Sequence, residues 1–149
     1  MDYSIIQKLS KLEYFSFFFL FLIISIFIHE LSHFLVAYFF NLNPYFNFSL
    51  ISFKVNLLNS GTSFQLFLVS LFGPLSNLFL YLSALLLTSS FFSKISSSLF
   101  SIFSYFSKKE IYYINLFAKI NLYFFIINIL PFPGFDGFQI LRHLFNFLA

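Results

Sequence analysis

The sequence has no cysteine, no tryptophan and few charged residues. Without cysteine the chain forms no disulfide and offers no thiolate to a metal, so any metal site must use histidine, aspartate or glutamate. Only 9% of its 149 residues are charged, whereas a soluble domain carries about 25%. The eight lysines and arginines are scattered and form no basic stripe of the kind that binds nucleic acid. Nucleic acid is therefore not an expected partner.

Apolar residues are abundant instead, at 60% of the chain, with 29 phenylalanines. A membrane-spanning helix needs about 20 apolar residues, so the length allows three or four spans and no sizeable soluble domain. We interpret the phenylalanine excess as a composition that lipid tolerates, and not as a cofactor site. Residues 1–149 are thus predicted to form one multi-pass unit whose surroundings are the lipid bilayer.

Long apolar runs predict three transmembrane helices, at about residues 13–40, 64–88 and 111–130. The first run carries Ser25, His29 and His33, which fall on one arc of a helix at 100° per residue. Polar groups inside a span face other helices or a watered cavity, and not lipid. This arc is therefore expected to point into a bundle.

The other two spans also have distinct faces. Gly73 and Asn77 share a narrow face of the second span, where small residues let another helix come close. In the third span Asn121 and Asn128 share a face that should point into the bundle. Lys119 lies on a nearly opposite face and is expected to snorkel toward the headgroups.

Two connecting segments carry further patterns. Residues 44–58 alternate between apolar and polar with one slip of phase, which predicts a strand pair or one bulged strand; an amphipathic surface loop is the alternative. Residues 91–106 separate apolar residues from serines at helical spacing, which predicts an interfacial helix; a short fourth span is the alternative. The predicted fold class is an all-α integral membrane protein, a core of three transmembrane helices with a short membrane-associated β segment and an interfacial helix.

The residues that carry chemistry lie in the first span, in the stretch "HELSH". On a helix, His29 and His33 project their imidazoles about 6 Å apart along one face, a spacing that can grip one metal ion. In the H-E-x-x-H arrangement, Glu30 lies next to the water on the metal and can take its proton. Two histidines and a glutamate inside an apolar span predict a catalytic zinc site.

Two histidines leave a zinc site one protein ligand short. The candidates elsewhere in the chain are Asp2, Glu13, Glu110, Asp136 and His143. Asp136 is preferred because a carboxylate in its apolar Pro/Gly loop would be protonated or destabilised unless a cation neutralised it. The predicted site is one Zn²⁺ per chain, held by His29, His33 and Asp136, with an open position for water.

Three motifs together resemble the site-2 protease family of intramembrane zinc metalloproteases, peptidase family M50. They are "HELSH", "FGPLSN" and "NILPFPGFDG", and the family signatures are H-E-x-x-H, G-P-x-x-N and N-x-x-P-x-P-x-x-D-G in that order. The resemblance covers Phe27 to Arg142. It implies His29, His33 and Asp136 as zinc ligands and Glu30 as the catalytic residue.

The resemblance also implies an activity and a supporting set. The activity is hydrolysis of peptide bonds within or near the transmembrane segments of membrane proteins, in regulated intramembrane proteolysis. The residues implied to support the site or the substrate are Gly73, Pro74, Asn77, Asn128, Pro131, Pro133 and Gly137.

The chain also departs from the family. The family often continues D-G-G-R, whereas Phe138 and Gln139 follow here, so the residues that support the ligands differ from the family pattern at these two positions. The additional helices and regulatory domains of many members are also missing, so a regulatory membrane subunit is a further expected partner.

Two other functions and one question of topology stay open. A metal transporter should show internal repeats and polar residues in several spans, and no repeat is found. A proteolytically silent scaffold of the same family would not need Glu30. The lysines of a three-span arrangement favour a cytoplasmic amino terminus, whereas the resemblance implies the opposite orientation.

Overall fold

The computed structural model describes residues 11–49, 53–88 and 107–149. Its helices are α1 (Lys11–Phe39), α2 (Ser63–Thr88), α3 (Lys108–Ile129) and α4 (Asp136–Leu148), and its strands are β1 (Pro44–Phe48) and β2 (Phe53–Leu57). Helices α1, α2 and α3 are long and apolar enough to cross a membrane. The predicted three long helices and strand pair are therefore confirmed. The interfacial helix at 91–106, with its alternative of a fourth span, lies outside the described residues.

The long helices form a bundle in which α1 and α3 run parallel and α2 runs antiparallel to both. Lys109 and Glu13 form an ion pair near the amino ends of α3 and α1. Further along the same two helices, the rings of Phe17 and Tyr113 lie 4.2 Å apart between centroids. The small-residue face of α2 packs inward, since Gly73, Pro74, Asn77 and Ala84 are all buried.

Helix α1 ends in a Schellman motif that starts the turn toward β1. The Leu42 N–H donates to the Ala37 carbonyl and the Asn41 N–H donates to the Tyr38 carbonyl. Asn41 has φ 57°, a left-handed conformation that asparagine tolerates better than most residues. Leu42 and Ala37 are buried with Val69 of α2, so this turn is fixed by hydrogen bonds and by packing.

The hairpin packs on α1 through stacked aromatic rings. Strands β1 and β2 pair antiparallel with Phe46 opposite Val55 and Phe48 opposite Phe53. Phe46 stacks on Phe34 of α1 at 4.7 Å, and Phe53 stacks on Phe27 at 6.2 Å. Phe27, Glu30 and Phe34 share one face of α1 at helical spacing, so the hairpin lies directly over Glu30.

A short loop joins α3 to α4. Leu130 leaves the helix with extended angles, φ −67° and ψ 139°, as expected for a residue before proline. Pro133 and Gly134 form the centre of a turn closed by the Phe135 N–H and the Phe132 carbonyl, and Gly134 has φ 101°, as in a type II turn. Asp136 then opens α4.

Gly137 allows α4 to begin close beneath the end of α3. A Cβ atom built at this position would overlap the backbone carbonyl oxygens of Ile129 and Leu130. Only glycine fits such an approach, because the contact atoms belong to backbone and cannot rotate away. The glycine after Asp136 therefore fixes the distance of that carboxylate from the bundle.

Candidate metal centre

His29, His33 and Asp136 meet on the inner side of the bundle. The Nε2 atoms of His29 and His33 are 3.1 Å apart. Oδ2 of Asp136 lies 2.9 Å from Nε2 of His29, and Oδ1 lies 3.4 Å from Nε2 of His33. Both histidines are buried. Residues more than 100 positions apart in the sequence thus bring three ligand atoms to one point.

The hydrogen bond between His33 and a backbone carbonyl determines which ring nitrogen of His33 carries the proton. Its Nδ1 lies 2.6 Å from the backbone carbonyl oxygen of Val69, which can only accept a hydrogen bond. Nδ1 of the neutral ring must therefore carry the proton. This leaves the Nε2 lone pair directed at His29 and Asp136.

A chain of two asparagines sets His29 in the same way. Asn121 Nδ2 donates to the Phe117 carbonyl, so its Oδ1 is the acceptor for Asn77 Nδ2, at 2.9 Å. Asn77 must then present Oδ1 to Nδ1 of His29, at 2.7 Å. Both asparagines are fully buried. Nδ1 of His29 therefore donates, and its Nε2 is also left as an acceptor.

Acceptors thus crowd together with no donor between them. Oδ2 of Asp136 is buried and has no hydrogen-bond partner among the described residues. The two Nε2 atoms and the Asp136 carboxylate lie 2.9–3.4 Å apart, so they repel unless a proton on one imidazole or a metal cation lies between them. Ligands of a tetrahedral zinc ion are about 3.3 Å apart, given bonds of about 2.0–2.1 Å. The donor set and its spacing therefore fit zinc.

Gly73 of α2 lies directly against the imidazoles of His29 and His33. A Cβ atom built there would overlap Nε2 and Cε1 of His33 and would lie 2.8 Å from Nε2 of His29. Helix α2 can approach the histidines this closely only with glycine at position 73. Its neighbour Pro74 is fully buried within α2.

Glu30 lies beside the pair and is held from the hairpin. Its ligand atom and those of His29 and His33 all lie within 4.8 Å of one another. Its Oε2 accepts a hydrogen bond of 3.0 Å from the Val55 backbone N–H of β2. The three side chains His29, Glu30 and His33 form a group that could hold a metal ion.

A cavity of about 560 Å³ opens onto these residues. Asn128 lines it from α3, and Gln139 and His143 line it from α4. Burial and the nearby Arg142 charge lower the pKa of the His143 imidazole, which favours its neutral form near pH 7. Gln139 and His143 stand one and two turns after Asp136, a helical spacing that sequence reasoning could have read.

The remaining predicted residues divide by position. Asn77 contacts His29, Gly73 abuts both histidines, and Asn128 lines the cavity. Pro131 and Pro133 are exposed in the loop before Asp136, where they shape the chain without contacting the histidines. Asn121 and the Val69 carbonyl were not predicted as parts of the site.

No protein-family model and no curated protein sequence matches this chain. The resemblance to site-2 proteases therefore rests on the three motifs alone.

Proposed function

We propose that this chain is an intramembrane zinc endopeptidase that hydrolyses peptide bonds within or near the membrane-spanning segments of other proteins. One observation carries the proposal: two imidazoles and a carboxylate converge beside a glutamate, in a bundle of helices long enough to cross a membrane. The three motifs that resemble site-2 proteases supply these same residues. Insertion in a lipid bilayer is part of the proposal.

Each residue has a separate task in the reaction. His29, His33 and Asp136 would hold the ion and leave one coordination position for water or substrate, which is typical of catalytic zinc. Bound zinc supplies Lewis acidity that activates water and polarises a peptide carbonyl. Glu30 accepts the proton of the attacking water and returns it to the departing amine.

The hairpin keeps Glu30 ready for this task. The Val55 N–H anchors one carboxylate oxygen, so the other oxygen can take the proton. Because the N–H comes from backbone, the anchor does not depend on the side chain at position 55. The stacked rings of Phe27, Phe53, Phe46 and Phe34 hold the strand pair at this position.

Strand β2 also offers an edge to an extended peptide. The Val55 N–H points to Glu30 and away from β1, so the alternate residues Phe53 and Leu57 direct their backbone groups outward as well. These residues line the cavity beside the histidines. A membrane-spanning helix must unwind before cleavage, and its freed backbone groups need partners. Strand addition at β2 would supply them.

The test is cleavage of a model transmembrane substrate by the purified full chain in lipid vesicles, with zinc content measured on the same samples. Glu30→Gln should retain zinc and lose activity by about 10²–10⁴-fold, because it removes the general base. Asp136→Asn should lose zinc as well as activity. Glu110→Gln is the matched control, since glutamine also serves the capping box of α3.

Two results would contradict the proposal. If the purified wild-type chain contains no zinc, the proposed metal centre does not exist. Zinc bound without cleavage of several substrates would instead favour the silent scaffold.

A further inference from the structure

A second polar feature lies on the outer side of the bundle, away from the metal centre. It is a groove of about 230 Å³ between α1 and α3. We call it the Lys119 groove. Its polar lining comes from Tyr14 of α1 and from Tyr112, Asn115, Lys119 and Tyr123 of α3.

The groove faces away from the three-helix interior. Lys119 and Asn121 are two residues apart, so their side chains diverge by about 160° around α3. Asn121 is fully buried against α2, whereas Lys119 and Tyr123 are exposed. No described residue covers this side of α3 at Lys119 and Tyr123, so in a bilayer it would meet lipid, a segment outside the described ranges, or another protein.

In a bilayer that α3 enters at its first residue, Lys119 would lie too deep for its ammonium to reach the headgroups. It is the twelfth of the 22 residues in α3, about 16 Å from the start of the helix at 1.5 Å per residue. The hydrocarbon core is about 30 Å thick, so this position is near its middle. The four-carbon stem of lysine extends only about 6 Å. Snorkelling, the expectation from sequence, would leave the ammonium inside the hydrocarbon region.

No acid within residues 11–49, 53–88 and 107–149 forms an ion pair with Lys119. The four acids of that part of the chain contact other groups. Glu13 pairs with Lys109, Glu30 accepts from Val55, Glu110 caps α3, and Asp136 lies at the histidines. A cation in a span needs a counter-charge, and such residues mark contacts or pathways.

We propose that the Lys119 groove docks a membrane-spanning segment of a partner protein that carries an aspartate or glutamate near the middle of its span. The carboxylate would neutralise Lys119. The Tyr112 and Tyr123 hydroxyls would provide hydrogen bonds along the same three turns. Asn115 would add its Nδ2 group, since its Oδ1 already accepts from Thr88 of α2. The proposal does not depend on the metal centre, which lies on the other side of α3.

The experiment uses the full chain in vesicles of zwitterionic lipid and a designed poly-leucine transmembrane peptide with a single central aspartate. Fluorescence energy transfer between labelled chain and peptide reports association. The aspartate peptide should bind at least tenfold more tightly than the same peptide with leucine at its centre. Lys119→Met should remove that difference, because methionine is also a long, unbranched side chain but carries no charge.

Two further variants complete the test. Lys108→Met, at the first residue of α3, should keep the preference for the aspartate peptide. Lys119→Glu should reverse it, so that a peptide with a central lysine binds better than one with aspartate. Unchanged thermal melting of each variant shows that the bundle still folds.

Several outcomes would overturn the proposal. One is equal binding of the aspartate and leucine peptides to the wild type. Another is retention of the aspartate preference in Lys119→Met. A third is displacement of the aspartate peptide from the wild type by anionic lipid. If that lipid also binds Lys119→Met less well than the wild type, the occupant of the groove is a lipid headgroup.

Discussion

At the scale of single residues, the two site histidines use their nitrogens for different purposes. Each Nδ1 is committed to an internal acceptor, the Val69 carbonyl for His33 and Asn77 for His29. Each Nε2 is thereby kept as a free lone pair with a fixed direction. Partners of this kind orient the ligand rings and raise their basicity, and losing one costs metal affinity. Asn121 acts one step further out, through Asn77.

Asn121→Ala should therefore weaken zinc binding by about 10–100-fold, the usual cost of losing an outer partner. Without Asn121, the Asn77 amide keeps only its longer hydrogen bond of 3.4 Å to the Ser25 carbonyl, so it fixes the proton on Nδ1 of His29 less firmly. Competition with a chromophoric chelator measures the affinity. Asn146→Ala, at an exposed position of α4, is the control and should bind zinc as the wild type does. An unchanged affinity in Asn121→Ala would show that Asn121 has no positioning role.

At the scale of elements, the hairpin depends on α1. Two isolated strands are marginal in water, and this pair gains its contacts from aromatic stacking on Phe27 and Phe34. Proline at position 44 fits the arrangement because it lies opposite Leu57, in a pair that exchanges no hydrogen bond. Strands β1 and β2 thus pair along their whole described length. On the outer edge of β2, the Val55 N–H donates to Glu30.

Leu57→Pro tests the proposed use of that edge. The substitution removes an outward N–H and no ladder bond, so we expect the KM for a transmembrane substrate to rise several-fold with zinc content unchanged. Leu57→Val is the matched control, because it also shortens the side chain but keeps the N–H. If the two variants have the same KM, a substrate strand does not pair with β2 at this residue.

At the scale of the whole molecule, the residues of the candidate metal centre belong to the first and the last described helix. His29 and His33 belong to α1, whereas Asp136 begins α4. A ligand that binds only the folded state stabilises it by about 2.7 kcal/mol at 100 times its Kd. Zinc would therefore stabilise the contact between α1 and α4 in addition to its role in catalysis.

Removal of the ion should consequently lower the melting temperature. We expect a drop of about 5–10 °C on adding chelator, from that free energy and a shift of about 2–4 °C per kcal/mol. Differential scanning fluorimetry in detergent measures it. Asp136→Asn should already melt at the lower temperature and should not respond to chelator. A wild type that is equally insensitive would mean that no ion links the two helices.

The periodicity of apolar residues, together with the proline, glycine and asparagine residues between the apolar runs, predicts most of the helices and strands. The sequence predicts the first helix at 13–40, and the structure has it at Lys11–Phe39. It predicts the second at 64–88, and the structure has it at Ser63–Thr88. The third begins three residues earlier than predicted, because Ser107 and Glu110 form a capping box. That signal is readable in the sequence, where Ser107 stands three residues before Glu110.

The surroundings of the histidines were less predictable. Asn121 was assigned to the inner face of its helix, yet its link to Asn77 depends on how α2 and α3 pack. The role of the Val69 carbonyl cannot be predicted from the sequence, since every residue has a backbone carbonyl. Side-chain motifs can be read along a chain, whereas backbone partners and contacts across helices appear only once the helices are assembled.

The position of Asp136 in the chain has a consequence for biosynthesis. About a hundred residues separate it from His33, and translation at about 5–20 residues per second takes roughly 5–20 s to cover them. Through that interval the nascent chain exposes two histidines and a glutamate without the third ligand. The proposed enzyme would therefore stay inert beside the translocation machinery, whose own membrane-spanning segments it could otherwise cut, until α4 has docked under α3.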